Sequence, residues 1–382
     1  MSTAAVALPV TPVSGVVEAP FDQVADMFAR TVARQGGGGS ALCVYREGRP
    51  VLDLIGGTYR PDYLQQVFSV SKGIVAVAAA VAHHDQMIDL DAPIADYWRE
   101  FRRPSTAMIT ARMILAHRSG LSAVATPLSL ADLLSGELDR AVARQEPYWE
   151  PGTDHGYAAF TFGALMAGVF RHGAGVEIAD FLRTRISAPL GLELWLGAPA
   201  DQLGRIAPTV FSPPASTPAQ ARAMSSPRFI PDGSFVEINA DPVGFFGDPR
   251  VRTARWPAMS VVTTARDLAR AFAATLDAVG GVRLLDAGSL TAMTASRSHG
   301  PDRMVGHVTH FGSGVELPHT HLPFLGERSF GHEGAGGSVV CADPELGVAL
   351  AFTTSKAPAV VGVSDQALLL LGAVRHCLTH LR

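Results

Sequence analysis

The sequence predicts an α+β protein: one antiparallel sheet assembled from both ends of the chain, flanked by helices, with a mainly helical insertion between. Two observations carry this expectation. Strand-like stretches lie near both termini, at residues 41–55 and again at 327–354, whereas the texture from residue 83 onward is helices and loops. Helical stretches at residues 21–34 and 366–380 are placed to cover such a sheet. The implied organisation is a loosely ordered segment 1–20, a discontinuous sheet domain of residues 21–84 plus 250–382, and an insertion domain of residues 85–249. A cleft between the two domains would hold the helix that begins near residue 69. No internal repeat is visible.

Taken in order, residues 1–20 are rich in Pro, Val and Ala. Phe21, Val24, Met27, Phe28 and Val32 recur at helical spacing, and the glycines after Gln35 stop that helix. Residues 41–46 and 50–55 read as a hairpin around Glu47-Gly48-Arg49. An apolar run at 73–82 follows. In the insertion, 109–116, 128–144, 161–172 and 178–185 read as helices. Pro213, Pro214, Pro218, Pro227 and Pro231 make residues 211–232 a long loop, a lid or a wall over a cleft. A helix over 263–276 starts at a Thr/Asp cap, and strands are expected at 327–331, 337–342 and 347–354.

Composition narrows the function. The chain has 382 residues, 47% of them hydrophobic, enough for a large core. Its formal net charge of −4 is scattered rather than in runs, so nothing suggests a nucleic-acid surface. No apolar stretch approaches the ~20 residues of a membrane span. No basic residue precedes the mildly apolar start, and three scattered cysteines are too few for a disulfide framework. A soluble, cytoplasmic protein is expected.

Chemistry concentrates at Val67-Phe68-Ser69-Val70-Ser71-Lys72. The chain has two lysines, Lys72 and Lys356, against 29 arginines. On a helix, positions i and i+3 share a face, so Ser69 and Lys72 point into the same space. A lysine against an apolar helix loses hydration, and its pKa falls to where it can take a proton from a serine. Ser-x-x-Lys is short enough to occur by chance; its place at the start of an apolar run is what singles it out. Tyr157, in a loop fixed by Pro151, Gly152 and Gly156, would be an ordinary core aromatic if isolated. Beside a lysine cation its phenol would ionise more easily, and the pair could share one proton. In residues 330–338, four glycines let backbone approach a ligand. The N–H of Ala335, with that of Ser69, would make a two-donor oxyanion hole. His307, His310, His319 and His321 crowd one segment, but no spacing completes a metal site, and a solvent-facing loop is expected.

Ser69-x-x-Lys72, Tyr157 and His332-Glu333-Gly334 follow the order of motifs in the serine β-lactamase and penicillin-binding superfamily. The chain resembles its class C branch and, within it, the family VIII carboxylesterases, from about residue 21 to the end. Asp91-Ala92-Pro93, the stretch 115–121, Pro151-Gly152-Thr153 and Ala342-Asp343-Pro344 extend the likeness. The resemblance implies a β-lactamase-like fold, Ser69 as nucleophile, and Lys72 with Tyr157 as base. It also implies that His332, Glu333 and Gly334 replace the Lys-Thr-Gly strand at the substrate. Two departures bear on substrate. Tyr-x-Asn has become Tyr157-Ala158-Ala159, and the Lys-Thr-Gly cation and hydroxyl have become His332 and Glu333. Both weaken the grip on a lactam and its carboxylate.

The resulting expectation is a serine hydrolase that cleaves small-acyl carboxylic esters through an acyl-Ser69 intermediate, with no metal and no organic cofactor. Its partner is a small-molecule ester; the sequence does not set an oligomeric state. The rival of the same fold is an acyltransferase that passes the acyl group to an amine or alcohol. A β-lactamase or D-amino-acid peptidase fits less well. A silent scaffold would be expected to have lost the serine, lysine or tyrosine, and all three are present.

Overall fold

The computed structural model describes residues 13–212, 215, 230 and 232–380. Six strands form one antiparallel sheet: β1 (Val13–Val17), β2 (Gly39–Arg46), β3 (Arg49–Gly57), β4 (Phe330–Glu333), β5 (Val339–Asp343) and β6 (Val348–Thr354). Their spatial order is β1-β3-β2-β6-β5-β4. The two ends of the chain meet in the β2–β6 pair, in register from Arg46 opposite Val348 to Ser40 opposite Thr354.

Side chains alternate across this sheet, as a pleated strand requires. Leu42, Val44, Val339, Cys341, Leu350 and Phe352 enter one core, closed by α1 (Asp22–Arg34) through Val24, Phe28 and Val32. The carboxy-terminal helix, α4 (Asp365–Thr379), closes it further through Leu370, Leu371 and Val374. Ala41, Cys43, Val340, Ala342, Ala349 and Ala351 face the other core. These small residues leave room for α3 (Ala265–Leu276), whose buried face is itself alanine-rich. Helix α2 (Val70–His84) is buried on every side from Val70 to Ala82. A helix apolar all round belongs inside a core, and this one runs between β4 and the helical region.

Several elements differ from expectation. Residues 13–17, placed in a loosely ordered segment, form the edge strand β1, paired from Val13 opposite Gly56 to Val17 opposite Leu52. Gly15 permits the close approach: a Cβ there would lie 1.9 Å from the Asp53 carbonyl oxygen. Residues 1–12 lie outside the described residues. The helix expected over 128–144 is two, Leu130–Leu134 and Glu137–Arg144, split at Gly136 with φ of 77°. The helix over 161–172 ends at Val169 and opens into a π-helical turn, Phe170–Ala174. Most of the proline-rich stretch 211–232 lies outside the described residues. A three-stranded sheet was not anticipated: Val261–Thr263 lies between Gln65–Gln66 and Leu194–Leu196, tying the lead into α2 to the helical region. Among the described residues no helix is long and apolar enough to cross a membrane.

Candidate active site

Ser69 stands immediately before α2. Its neighbour Phe68 has φ of 52°, a left-handed conformation costly for a bulky residue. The Phe68 ring is locked in place edge-on against Phe246 at 4.7 Å and Phe211 at 6.4 Å between centroids. Val67 N–H donates to Val261 O (3.0 Å), and Ser71 Oγ accepts from Val261 N–H (2.9 Å). The turn carrying the serine is therefore pinned on both sides.

Lys72 is fully buried. Its Nζ lies 3.1 Å from Ser69 Oγ and 3.1 Å from Ala258 O, and 4.8 Å from the centre of the Tyr157 ring. Burial lowers its pKa from 10.5 to about 7, against the opposing pull of the nearby Glu316 carboxyl. Near neutral pH a large share of the amine is free to accept the Ser69 proton.

The Tyr157 loop is held from two directions. The Tyr157 N–H donates to both oxygens of Asp302 (3.1 and 3.0 Å), which also accepts from Met304 N–H, Val305 N–H and Thr309 Oγ1. On the other side His117 O accepts from Gly156 N–H and His117 Nδ1 from Ala158 N–H, both at 3.0 Å. Burial keeps His117 neutral, and its two contacts brace the loop. The Ser69 side chain favours ionisation of Tyr157, yet the pKa of the phenol is raised well above 10 by burial and by the Glu316, Glu333 and Asp302 carboxyls. This corrects the expectation of an easily ionised phenol: burial and the carboxyls around it hold Tyr157 in its protonated form.

Strand β4 sits at residues 330–333 rather than 327–331, so His332 and Glu333 are strand residues rather than part of the turn. The turn after it closes by Gly334 N–H to Ser338 O (2.9 Å) and Gly337 N–H to Gly334 O (2.8 Å). A Cβ on Gly334 would lie 2.4 Å from Val67 O, and one on Gly336 would lie 2.5 Å from the Phe68 ring. Only glycine allows this approach, which carries Ala335 to the Ser69 turn. Among the described residues, the N–H groups of Ser69 and Ala335 have no protein acceptor. They are free for a substrate oxyanion.

The three residues expected at the substrate contribute differently. His332 is fully buried; its Nδ1–H donates to Glu333 O at 2.7 Å, and its Nε2 has no partner among the described residues. Burial, and then Lys72, push its pKa down to about 3. It supplies no cation where a substrate carboxylate would need one. Glu333, pushed up to about 7 by burial, accepts the Val363 N–H through Oε2 at 2.5 Å. Gly334 packs on Val67. Two residues of the network were missed from sequence, Asp302 and Glu316. The only hint was a carboxylate between the apolar Val315 and Leu317. Of the histidine cluster, the His307, His319 and His321 rings stand 4.9 to 6.3 Å apart. Among the described residues no group of three or more His, Cys, Asp or Glu could hold a metal ion.

The family model described as Beta-lactamase matches residues 24–374. The chain is 31% identical over 379 residues to the esterase/beta-lactamase LipL of Mycobacterium tuberculosis, covering 93% of this chain and 86% of that protein. Among solved structures it is similar to EstA from Arthrobacter nitroguajacolicus Rue61a, at 30% identity and a TM-score of 0.86, covering 96% of this chain and 99% of that one. It is also similar to a family VIII carboxylesterase, at 25% identity and a TM-score of 0.82, covering 96% of this chain and 100% of the other.

Proposed function

The chain belongs to the β-lactamase family, and from that membership we propose that it is a serine carboxylesterase acting on small-acyl esters. The observation that carries the proposal is the 3.1 Å contact between Ser69 Oγ and the buried, half-neutral Lys72 amine. Lys72 takes the Ser69 proton as Oγ attacks the ester carbonyl, and the oxyanion forms between the Ser69 and Ala335 N–H groups. Tyr157, a phenol that burial keeps protonated, donates its proton to the departing alkoxide and regains one from Lys72. Water then enters along the leaving-group path and attacks the acyl carbon, giving a proton to the same pair; that proton passes to Ser69 Oγ as its bond to the acyl carbon breaks and the acid departs. A neutral His332 favours uncharged esters over carboxylate-bearing lactams, and the likeness to a family VIII carboxylesterase points the same way.

The test is intact mass after brief exposure to p-nitrophenyl acetate and butyrate, with wild type beside Ser69→Ala. A transient acyl adduct and turnover, both lost in the variant, are expected. Turnover that survives Ser69→Ala refutes the assignment. An adduct stable in buffer but cleared by an added amine or alcohol moves the reading to acyl transfer.

A further inference from the structure

We propose that Glu316 is a positioning residue for the oxyanion hole, clamping the strand that leads to Ala335 against the helix that carries Ser69. The proposal rests on the acyl-Ser69 reading and adds to it a group that does not touch the substrate.

β4 is the last strand of the sheet. An edge strand offers the N–H and C=O groups of every second residue to whatever lies beyond. Glu316 meets both outward N–H groups of β4. Its main-chain carbonyl accepts from Gly331 N–H at 3.0 Å, its own N–H donates to Gly331 O at 2.8 Å, and its carboxyl oxygen Oε2 accepts from Glu333 N–H at 3.2 Å. The side chain thus stands in for the carbonyl that a longer partner strand would supply. It does so two residues before Ala335, where the chain leaves the sheet to form the turn.

The segment that carries Glu316 is fixed to the nucleophile helix. Gly314 has φ of 86°, and a Cβ there would lie 2.7 Å from the Cβ of Ala76 on α2. Ser313 N–H donates to Met293 O at 2.8 Å. Residues 313–316 therefore form a short bridge with α2 at one end and β4 at the other. Through it the Ser69 N–H and the Ala335 N–H share one frame. Glu316 is 6% exposed, and its Oε1 lies 3.8 Å from His332 Nδ1. A buried carboxyl in this position is held chiefly by the Glu333 N–H, and without it that N–H would be buried and unpaired.

The experiment compares Glu316→Ala and Glu316→Gln with wild type. Readouts are kcat and KM for p-nitrophenyl acetate, the affinity of an alkyl boronic acid (a tetrahedral adduct-former at serine), and thermal melting. Loosening one oxyanion donor is expected to lower kcat of Glu316→Ala about 10- to 100-fold. KM should stay within about threefold, and boronic-acid affinity should fall by the same factor as kcat. Glu316→Gln retains an acceptor oxygen and should hold kcat within about threefold of wild type. If Glu316→Ala does not fold, Glu316→Asp, one methylene short of the Glu333 N–H, should show the same loss. The clamp is overturned by a wild-type kcat in the Ala variant, by equal losses in Ala and Gln, or by lost kcat with unchanged boronic-acid affinity. A wild type that neither turns over the ester nor gains an acetyl group overturns the acyl-enzyme reading and the clamp with it. A wild type that turns it over beside an equally active Ala variant overturns the clamp alone.

Discussion

Replacing the buried base by an apolar side chain of similar length, Lys72→Met, should abolish turnover and stabilise the fold in acid. The unfolded chain takes up a proton on this amine below pH 10.5, whereas the folded one does so only below about 7. Between those values the unfolded state holds the extra proton, so the stability this group allows rises with pH. Below pH 7 the penalty is complete, about 5 kcal/mol, and by pH 9 it has shrunk to about 2 kcal/mol. Methionine removes the penalty but leaves Ala258 O without its 3.1 Å partner, a loss of about 1–3 kcal/mol that does not vary with pH. The variant should therefore be more stable than wild type by about 2–4 kcal/mol at pH 6 and within about 1 kcal/mol of it at pH 9. With an unfolding entropy of about 2.1 cal/mol/K per residue, that pH 6 gain is about 3–5 °C in Tm. Paired melting curves at pH 6, 7, 8 and 9 measure it. A Tm offset between variant and wild type that does not change with pH refutes the depressed lysine. So does a variant less stable than wild type at pH 6.

Under the proposed mechanism Lys72 must be neutral to act, so kcat/KM for an uncharged ester should climb through about pH 7 and level off above it; a flat profile from pH 5.5 to 8.5 would exclude Lys72 as the base. Tyr157→Phe should lower kcat about 10²- to 10⁴-fold for an alkyl ester, whose leaving group needs a proton, and much less for a p-nitrophenyl ester. Equal losses with both esters would deny Tyr157 the donor role. Gly334→Ala drives a Cβ to 2.4 Å from Val67 O, a backbone atom that cannot swing aside. It should displace Ala335 and lower kcat at least about tenfold, with the protein still folded by circular dichroism.

The parts of the site that could be read from sequence are those whose logic is local. Ser69 and Lys72 are one helical turn apart, and the rarity of lysine makes the pair visible. The two halves of the sheet were legible because each carries its own apolar strands. The braces were not. Asp302 reaches across 145 positions to the Tyr157 N–H, and Glu316 across 17 to Glu333, and nothing in the local pattern marks either as an acceptor. The ionisation of Tyr157 was misjudged for the same reason: lysine is its evident neighbour in sequence logic, while the carboxyls that oppose ionisation converge from three distant segments.

At three places around Ser69 a local preference is overridden. β4 was misplaced because Gly331-His332-Glu333 has poor strand propensity. It is a strand because Gly331 is paired on one side with Cys341 and on the other with Glu316. Phe68 takes a left-handed backbone that its own bulk resists, and Lys72 occupies a helix otherwise suited to alanine and valine. Each local preference is overridden by contacts from elsewhere, and each override places an atom that the proposed reaction uses: the nucleophile, the base, the second oxyanion donor. If that is their cause, relaxing any one of them should gain stability or leave it unchanged while lowering kcat. The pH-dependent stabilisation expected of Lys72→Met is the instance most open to measurement.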